Sequence, residues 1–81
     1  MPQTLEMSTF DGTDVEIELV KPLPGGGQRI DVTSEDGRRW KLDVDRNGGI
    51  DPITTWRHGT LADVDIPDWM GDVIAQLQRR G

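Results

Sequence analysis

The chain has 81 residues and a net charge of -6 at pH 7, and only 33% of its residues are hydrophobic. It contains no cysteine and one histidine, which excludes disulfide bonds, thiolate zinc sites, cysteine nucleophiles and a three-histidine metal centre. No apolar run approaches the roughly 18 residues of a membrane span, and no signal-peptide core follows Met1. The composition therefore predicts one small domain, residues 1–81, in the cytoplasm.

The first two predicted strands cover residues 4–9 and 13–20 and form a hairpin. Apolar residues alternate with acids along the second strand, which is typical of a half-buried strand. Placing Met7 opposite Val15 keeps the apolar side chains of both strands on one face and leaves a three-residue loop. This register also sets Glu6 opposite Glu16, and two like charges in this position repel each other most at low salt.

The next two predicted strands, residues 29–34 and 38–44, form a second hairpin. Its register follows from the apolar residues alone, with Val32 opposite Trp40 and a glycine closing a three-residue loop. The same register predicts two oppositely charged pairs on the other face, each worth about 0.2–1 kcal/mol. These pairs are Asp31 with Lys41 and Arg29 with Asp43.

A fifth strand is predicted at residues 53–57, where Pro52 breaks the alternation and leaves its register open. Leu61 falls in the connector that follows. The chain then ends in a predicted helix at about 67–79, because its apolar residues recur at helical spacing and Pro67 suits a first turn. We therefore expect an α+β fold, an antiparallel β-meander of about five strands packed by one C-terminal α-helix.

Residues 43–51 carry oxygen-bearing side chains at alternate positions before a pair of glycines. This pattern resembles the first part of an EF-hand calcium loop, in which such side chains are the metal ligands. The resemblance ends at Pro52, and Thr54 occupies the position of the family's bidentate glutamate. It implies a weak divalent-cation site, but Asp, Asn and Gly also favour an ordinary hairpin turn, which is our first interpretation. The ligands in the cation interpretation would be Asp43, Asp45, Asn47 and Asp51, with the carbonyl of Gly49.

A second alternative is nucleic-acid binding through Arg38, Arg39 and Arg46, since arginines beside an aromatic residue can hold phosphates and stack on bases. Against it, the overall negative charge repels phosphates, and the predicted register places Trp40 in the core.

Large side chains of a small core are the simplest explanation of the three tryptophans. If Trp56 or Trp69 is exposed, it becomes an anchor for an interface. His58 could form an acid–base pair with Asp63 or Asp65, but neither serine of the chain lies in a nucleophile context, and we expect no enzymatic activity and no cofactor.

The composition as a whole resembles that of small acidic proteins of halophilic archaea, with eleven Asp but only two Lys beside seven Arg. Excess negative charge keeps a protein soluble, and salt screens the repulsion that this charge creates. We therefore expect a non-enzymatic structural or protein-interaction module adapted to high salt. Its partner would be another protein or a second copy of the chain, rather than nucleic acid or a membrane.

Overall fold

The structure is a computed structural model and describes residues 3–80. Six strands and one helix follow each other along the chain: β1 (Gln3–Ser8), β2 (Asp14–Pro22), β3 (Gln28–Ser34), β4 (Arg38–Val44), β5 (Ile50–Arg57), β6 (Thr60–Leu61) and α1 (Trp69–Arg80). The strands form one antiparallel sheet in chain order, and α1 packs on one of its faces. The predicted α+β meander with a C-terminal helix is confirmed.

Both predicted hairpin registers are present in the sheet. Met7 is the Cα partner of Val15, and Val32 is the partner of Trp40. Each pair contributes to the buried cluster beneath α1. The alternation of apolar and charged residues therefore fixes which face each strand buries, because a shift of one residue would turn the apolar side chains to solvent.

Four successive hairpins share one loop design, at residues 10–12, 24–26, 35–37 and 46–48. The last residue of each loop is a glycine with φ between 88° and 99°. Its N–H donates a hydrogen bond of 3.0–3.3 Å to the carbonyl of the residue before the loop. This conformation favours glycine. At Gly37 the space is also closed, since a Cβ there would lie 2.5 Å from Nδ1 of His58.

The sheet has one strand more than expected, because β6 pairs with the end of β5 through a two-residue turn. His58 and Gly59 have φ of 51° and 80°, which suits the tight turn of a hairpin. Leu61 thus belongs to a strand and not to the connector. β5 also begins earlier than predicted, at Ile50, because a bulge opposite Lys41 and Leu42 accommodates Pro52.

The helix begins at Trp69, two residues later than predicted, and the preceding turn is held by a bond from the Met70 N–H to the Pro67 carbonyl (3.0 Å). Its apolar stripe covers the sheet, and Met70 is completely buried. Trp40 is also fully buried and meets Trp69 edge to face, with 5.4 Å between ring centroids and an angle of 87°. No helix in the described part of the chain has the length and apolar character to cross a membrane.

One of the two predicted cross-strand ion pairs forms and the other does not. Arg29 bonds to both carboxylate oxygens of Asp43, at 2.7 and 3.2 Å. Asp31 lies opposite Lys41 as expected, but its carboxylate accepts two bonds from Arg39, at 2.8 and 2.5 Å. The planar guanidinium of arginine can bond to both oxygens of a carboxylate at once, a geometry that lysine lacks.

Candidate functional site

The face of the sheet that α1 leaves uncovered is polar and divided by charge. One row of partners crosses it from β1 to β5: Glu6, Glu16, Thr33, Arg39 and Trp56. The acids lie on the first two strands and the arginine on the fourth. This face therefore carries negative charge towards β1, whereas its β4–β5 side combines a cation with an aromatic ring.

Arg39 is held between two neighbours on that face. Its guanidinium carbon lies 4.4 Å from the ring centroid of Trp56, and its nitrogens bond to Asp31, which is 5% exposed. The bond to Asp31 raises the pKa of Arg39, so the side chain stays charged. Trp56, a predicted interface residue, is half-buried, and Arg39 covers one side of its ring. Trp56 is therefore fixed in place close to the last strand of the sheet.

Trp69, the other predicted interface residue, is 2% exposed and belongs to the core. The exposure on which its role as an interface anchor depends is therefore absent at Trp69. The helix begins at Trp69 and turns its ring onto Trp40, and the indole N–H of Trp40 donates to the Asp65 carbonyl at 3.3 Å. The ring of Trp69 is therefore covered by contacts within the chain and is not accessible to a partner.

The three arginines of the nucleic-acid interpretation do not form one surface. Arg38 and Arg39 begin β4, whereas Arg46 lies in the loop after β4 ends, so the full length of the strand separates them. Arg38 bonds to the carboxylate of Asp36 at 2.8 Å and lies over the Trp40 ring. Arg39 bonds to Asp31 and lies against the Trp56 ring. The three predicted arginines therefore do not form a continuous basic surface that could track a phosphate backbone.

The 43–51 segment is a hairpin turn between β4 and β5. The carboxylate of Asp43 is bonded to Arg29, which lowers the pKa of this acid. One carboxylate oxygen of Asp45 accepts the N–H groups of Asn47 and Gly49, both at 2.8 Å. Asp51 is the direct partner of Asp43 on the neighbouring strand β5. Among residues 3–80, no group of three or more His, Cys, Asp or Glu side chains is arranged to hold a metal ion.

His58 has a structural part in the turn between β5 and β6. Its backbone N–H donates to the Gly37 carbonyl at 2.7 Å, and its ring lies against Gly37. Within the described residues, no hydrogen bond or ion pair joins the His58 ring to Asp63 or Asp65. The acid–base pair considered from the sequence is therefore not assembled in this structure.

The outer edge of β5 is only partly covered. β6 pairs with Trp56 and Arg57 and then ends, so no described strand pairs with the outer edge of β5 from Ile50 to Thr54. A groove of about 820 Å³ follows this edge, which we call the β5-edge groove. Its lining comes from residues 52–55 of β5 and 61–65 of β6 and the connector.

Thr55 explains why the connector leaves the edge of β5 open. It is the partner of Trp40, so its side chain lies on the helix side of the sheet. The Thr55 hydroxyl donates to the Ala62 carbonyl and accepts the Val64 N–H, the latter at 3.2 Å. These bonds draw the connector under the sheet, where Val64 is buried. The chain therefore does not continue alongside β5 as a longer β6.

Apolar and acidic side chains surround the β5-edge groove. Ile53 is 43% exposed and Leu61 is 69% exposed. The exposed acids Asp63 and Asp65 line the groove, and the exposed Asp51 precedes it on β5. Residues 60–72 contain four acids and no base. The groove therefore offers backbone groups, aliphatic contacts and negative charge in one place.

Sequence reasoning did not identify Ile53 or Leu61 as surface residues of interest. Ile53 lies inside the predicted fifth strand, and the sequence predicts a connector at Leu61. One signal was present: Pro52 within a strand is typical of an edge. Both residues are exposed because β6 is short. A strand of two residues shows no alternation of apolar and polar residues, so the sequence does not reveal it.

Comparison with known proteins finds no matching family model and no significant match among curated proteins or solved structures.

Proposed function

We propose that the chain is a non-enzymatic protein-interaction module of the cytoplasm, adapted to high salt, that binds a protein partner at the β5-edge groove. The observation that carries this proposal is the open edge of β5 beside two exposed aliphatic side chains, Ile53 and Leu61. An unpaired edge presents N–H and C=O groups that can pair with another chain. Trp56, held by Arg39 next to this edge, adds an aromatic surface of the kind that interfaces favour.

The non-enzymatic part of the proposal is supported by how the reactive side chains are used. His58 packs in a turn, and the hydroxyl of Ser34 is bonded to Asp36 and to the Arg38 carbonyl. The carboxylates of Asp31 and Asp43 are bonded to arginines. Such groups hold the fold together, whereas general acid–base chemistry needs a group aimed at a substrate.

The proposed salt adaptation is supported by the acidic edge formed by β1 and β2. Glu6 lies directly opposite Glu16. Like charges in this position are destabilising, and at about 1 M salt the Debye length of about 3 Å screens them. We expect the free energy of unfolding to rise with KCl concentration, and to rise less in Glu16→Gln.

The interaction proposal is tested by recovering the tagged protein from the cells that express it, at their own ionic strength. Leu61→Ser is compared with Phe10→Ser, because both side chains are 69% exposed and Phe10 lies in the β1–β2 loop. We expect a stoichiometric protein partner with the parent chain and with Phe10→Ser, and its loss with Leu61→Ser. Equal retention by both variants, or no partner with any of the three, would refute the proposal.

A further inference from the structure

We infer that the β5-edge groove accepts an extended segment of the partner as an added strand, and that this segment alternates basic with aliphatic residues. The inference rests on the function proposed for the same groove and specifies the chemistry of the partner.

Main-chain pairing follows from the unequal lengths of the last two strands. β5 runs from Ile50 to Arg57, whereas β6 covers only its last two residues. The open part, Ile50 to Thr54, is about 17 Å long at the usual rise of a strand. Addition of a strand to an open edge satisfies its backbone groups and continues the sheet. A segment of about five residues would occupy the row that β6 leaves empty.

The side chains around the edge set what the segment must carry. In an added strand, successive side chains point to opposite faces, so alternate residues meet the same surface. Leu61, the partner of Trp56, provides aliphatic contact on the uncovered face, and the exposed Ile53 adds a second contact at the bulge between Pro52 and Thr54. Pro52 has no N–H to donate, and a bulge interrupts the edge between Thr54 and Pro52, which limits indiscriminate pairing with long strands and suits a short segment.

Charge selects the other set of side chains. Asp63 and Asp65 lie in the groove wall and are exposed, whereas Asp51, the partner of Asp43, lies on the uncovered face of the sheet together with Leu61. The base that β5 itself carries, Arg57, pairs with Thr60 of β6, outside the groove lining. Lysine or arginine side chains of an added strand would therefore meet carboxylates, and acidic ones would be repelled.

The same charges argue against a second copy as the occupant. An antiparallel pair of β5 edges would bring two sets of Asp51, Asp63 and Asp65 together. The other outer strand of the sheet, β1, lies in a segment, residues 1–20, that holds five acids and no base. Pairing of β1 with β5 of another copy would also be head to tail, which forms open chains rather than closed dimers. A basic segment of a different protein fits the edge better.

The test is an NMR titration of the whole protein with capped peptides of about five residues, the length of the open edge. The first probe alternates Val and Lys, and the second alternates Val and Glu. The third is the Val–Lys peptide with N-methyl groups on alternate residues, which removes N–H donors. We expect saturable amide shifts in residues 50–55 and 61–65 with the first probe. Its Kd at about 0.1 M salt should be about tenfold lower than that of the Val–Glu peptide.

N-methylation of the peptide and removal of the acids in the groove should each have a distinct effect on binding. The N-methylated peptide should bind at least about tenfold more weakly, because a strand without donors cannot complete the ladder. Asp63→Asn/Asp65→Asn should reduce the preference for Lys over Glu. The control variant, Glu6→Gln/Glu16→Gln, has the same net charge but lies across the sheet, and should leave the preference unchanged.

Three results would overturn the inference: no saturable shifts with the Val–Lys peptide, shifts centred on β1 and β2, or equal affinity for the N-methylated peptide. A concentration-dependent dimer that protects the β5 amides would also overturn it, in favour of a second copy. If Leu61→Ser still abolishes recovery of a partner while the Val–Lys peptide does not bind, the proposed function stands and only the extended basic segment is wrong. If Leu61→Ser has no effect, the proposed function itself fails.

Discussion

Truncation of Leu42 provides a quantitative test of the packed core. Leu42 is fully buried in β4, with Ile30 opposite it on β3 and Pro52 opposite it on β5. Leu42→Ala removes most of the side chain and leaves a cavity. The cavity cannot easily collapse, because β4 is hydrogen-bonded to a strand on each side. Substitutions of this type cost about 2–5 kcal/mol, and we expect the upper half of that range. A domain of this size has a total free energy of unfolding of about 4–12 kcal/mol, so the loss is large.

Urea unfolding followed by tryptophan fluorescence measures this loss at fixed high salt. Leu61→Ala is the matched control, because the chemical change is identical but Leu61 is 69% exposed. We expect the control to lie within about 0.5 kcal/mol of the parent. At about 4–8 °C per kcal/mol, the melting temperature of Leu42→Ala should fall by about 14 °C or more. Similar losses in the two variants, or a loss below about 1 kcal/mol for Leu42→Ala, would refute the placement of Leu42 in the core.

Further predictions concern pH, two glycines and calcium. Arg38 and then Ser34 hold the pKa of Asp36 well below its ordinary value of 3.8, so its stabilising contribution is complete above about pH 4 and is lost as the pH falls lower. Urea midpoints should therefore decline below about pH 4, and less steeply in Asp36→Asn. Gly71→Ala should raise the free energy of unfolding by about 0.5–1 kcal/mol, since Gly71 lies in α1 with no neighbouring atom in the way, as thermal unfolding would measure. Gly37→Ala should lower it by more than about 1 kcal/mol, because φ is 94° and the His58 ring fills the space; equal and small effects of the two substitutions would contradict the loop geometry. Titration of metal-stripped protein with Ca²⁺ should give no saturable amide shifts in residues 43–54, because Arg29 already bonds to the Asp43 carboxylate and backbone N–H groups already bond to the Asp45 carboxylate. Saturable shifts would support the cation interpretation instead.

The strand pairing could be predicted where periodicity and burial act together. Val15 and Ile17 alternate with acids, so only one register buries both against the first strand. The second hairpin follows in the same way from Val32 and Trp40. The helix is also readable, since its apolar residues recur at 3.6-residue spacing over several turns.

Other features depend on three-dimensional neighbours that a local pattern does not contain. Arg39 on β4 bonds to Asp31 on the neighbouring strand β3, two residues away from the position directly opposite. Lys41 occupies that opposite position but forms no ion pair with Asp31. Trp69 is buried because the connector brings the start of α1 over Trp40, which the sequence spacing does not reveal. The open edge of β5 depends on where β6 stops, and the bonds of Thr55 to the connector decide this.

The most direct test of binding at the β5-edge groove is site-specific photo-crosslinking in the cells that express the protein. A photoreactive amino acid replaces Ile53 in one variant and Phe10 in another, since both side chains are exposed, Ile53 at the edge of β5 and Phe10 in the β1–β2 loop. We predict one discrete adduct from position 53, of the mass of this chain plus one different protein, and none from position 10. No adduct from position 53, or the same set of adducts from both positions, would contradict the assignment of the β5 edge as the binding site.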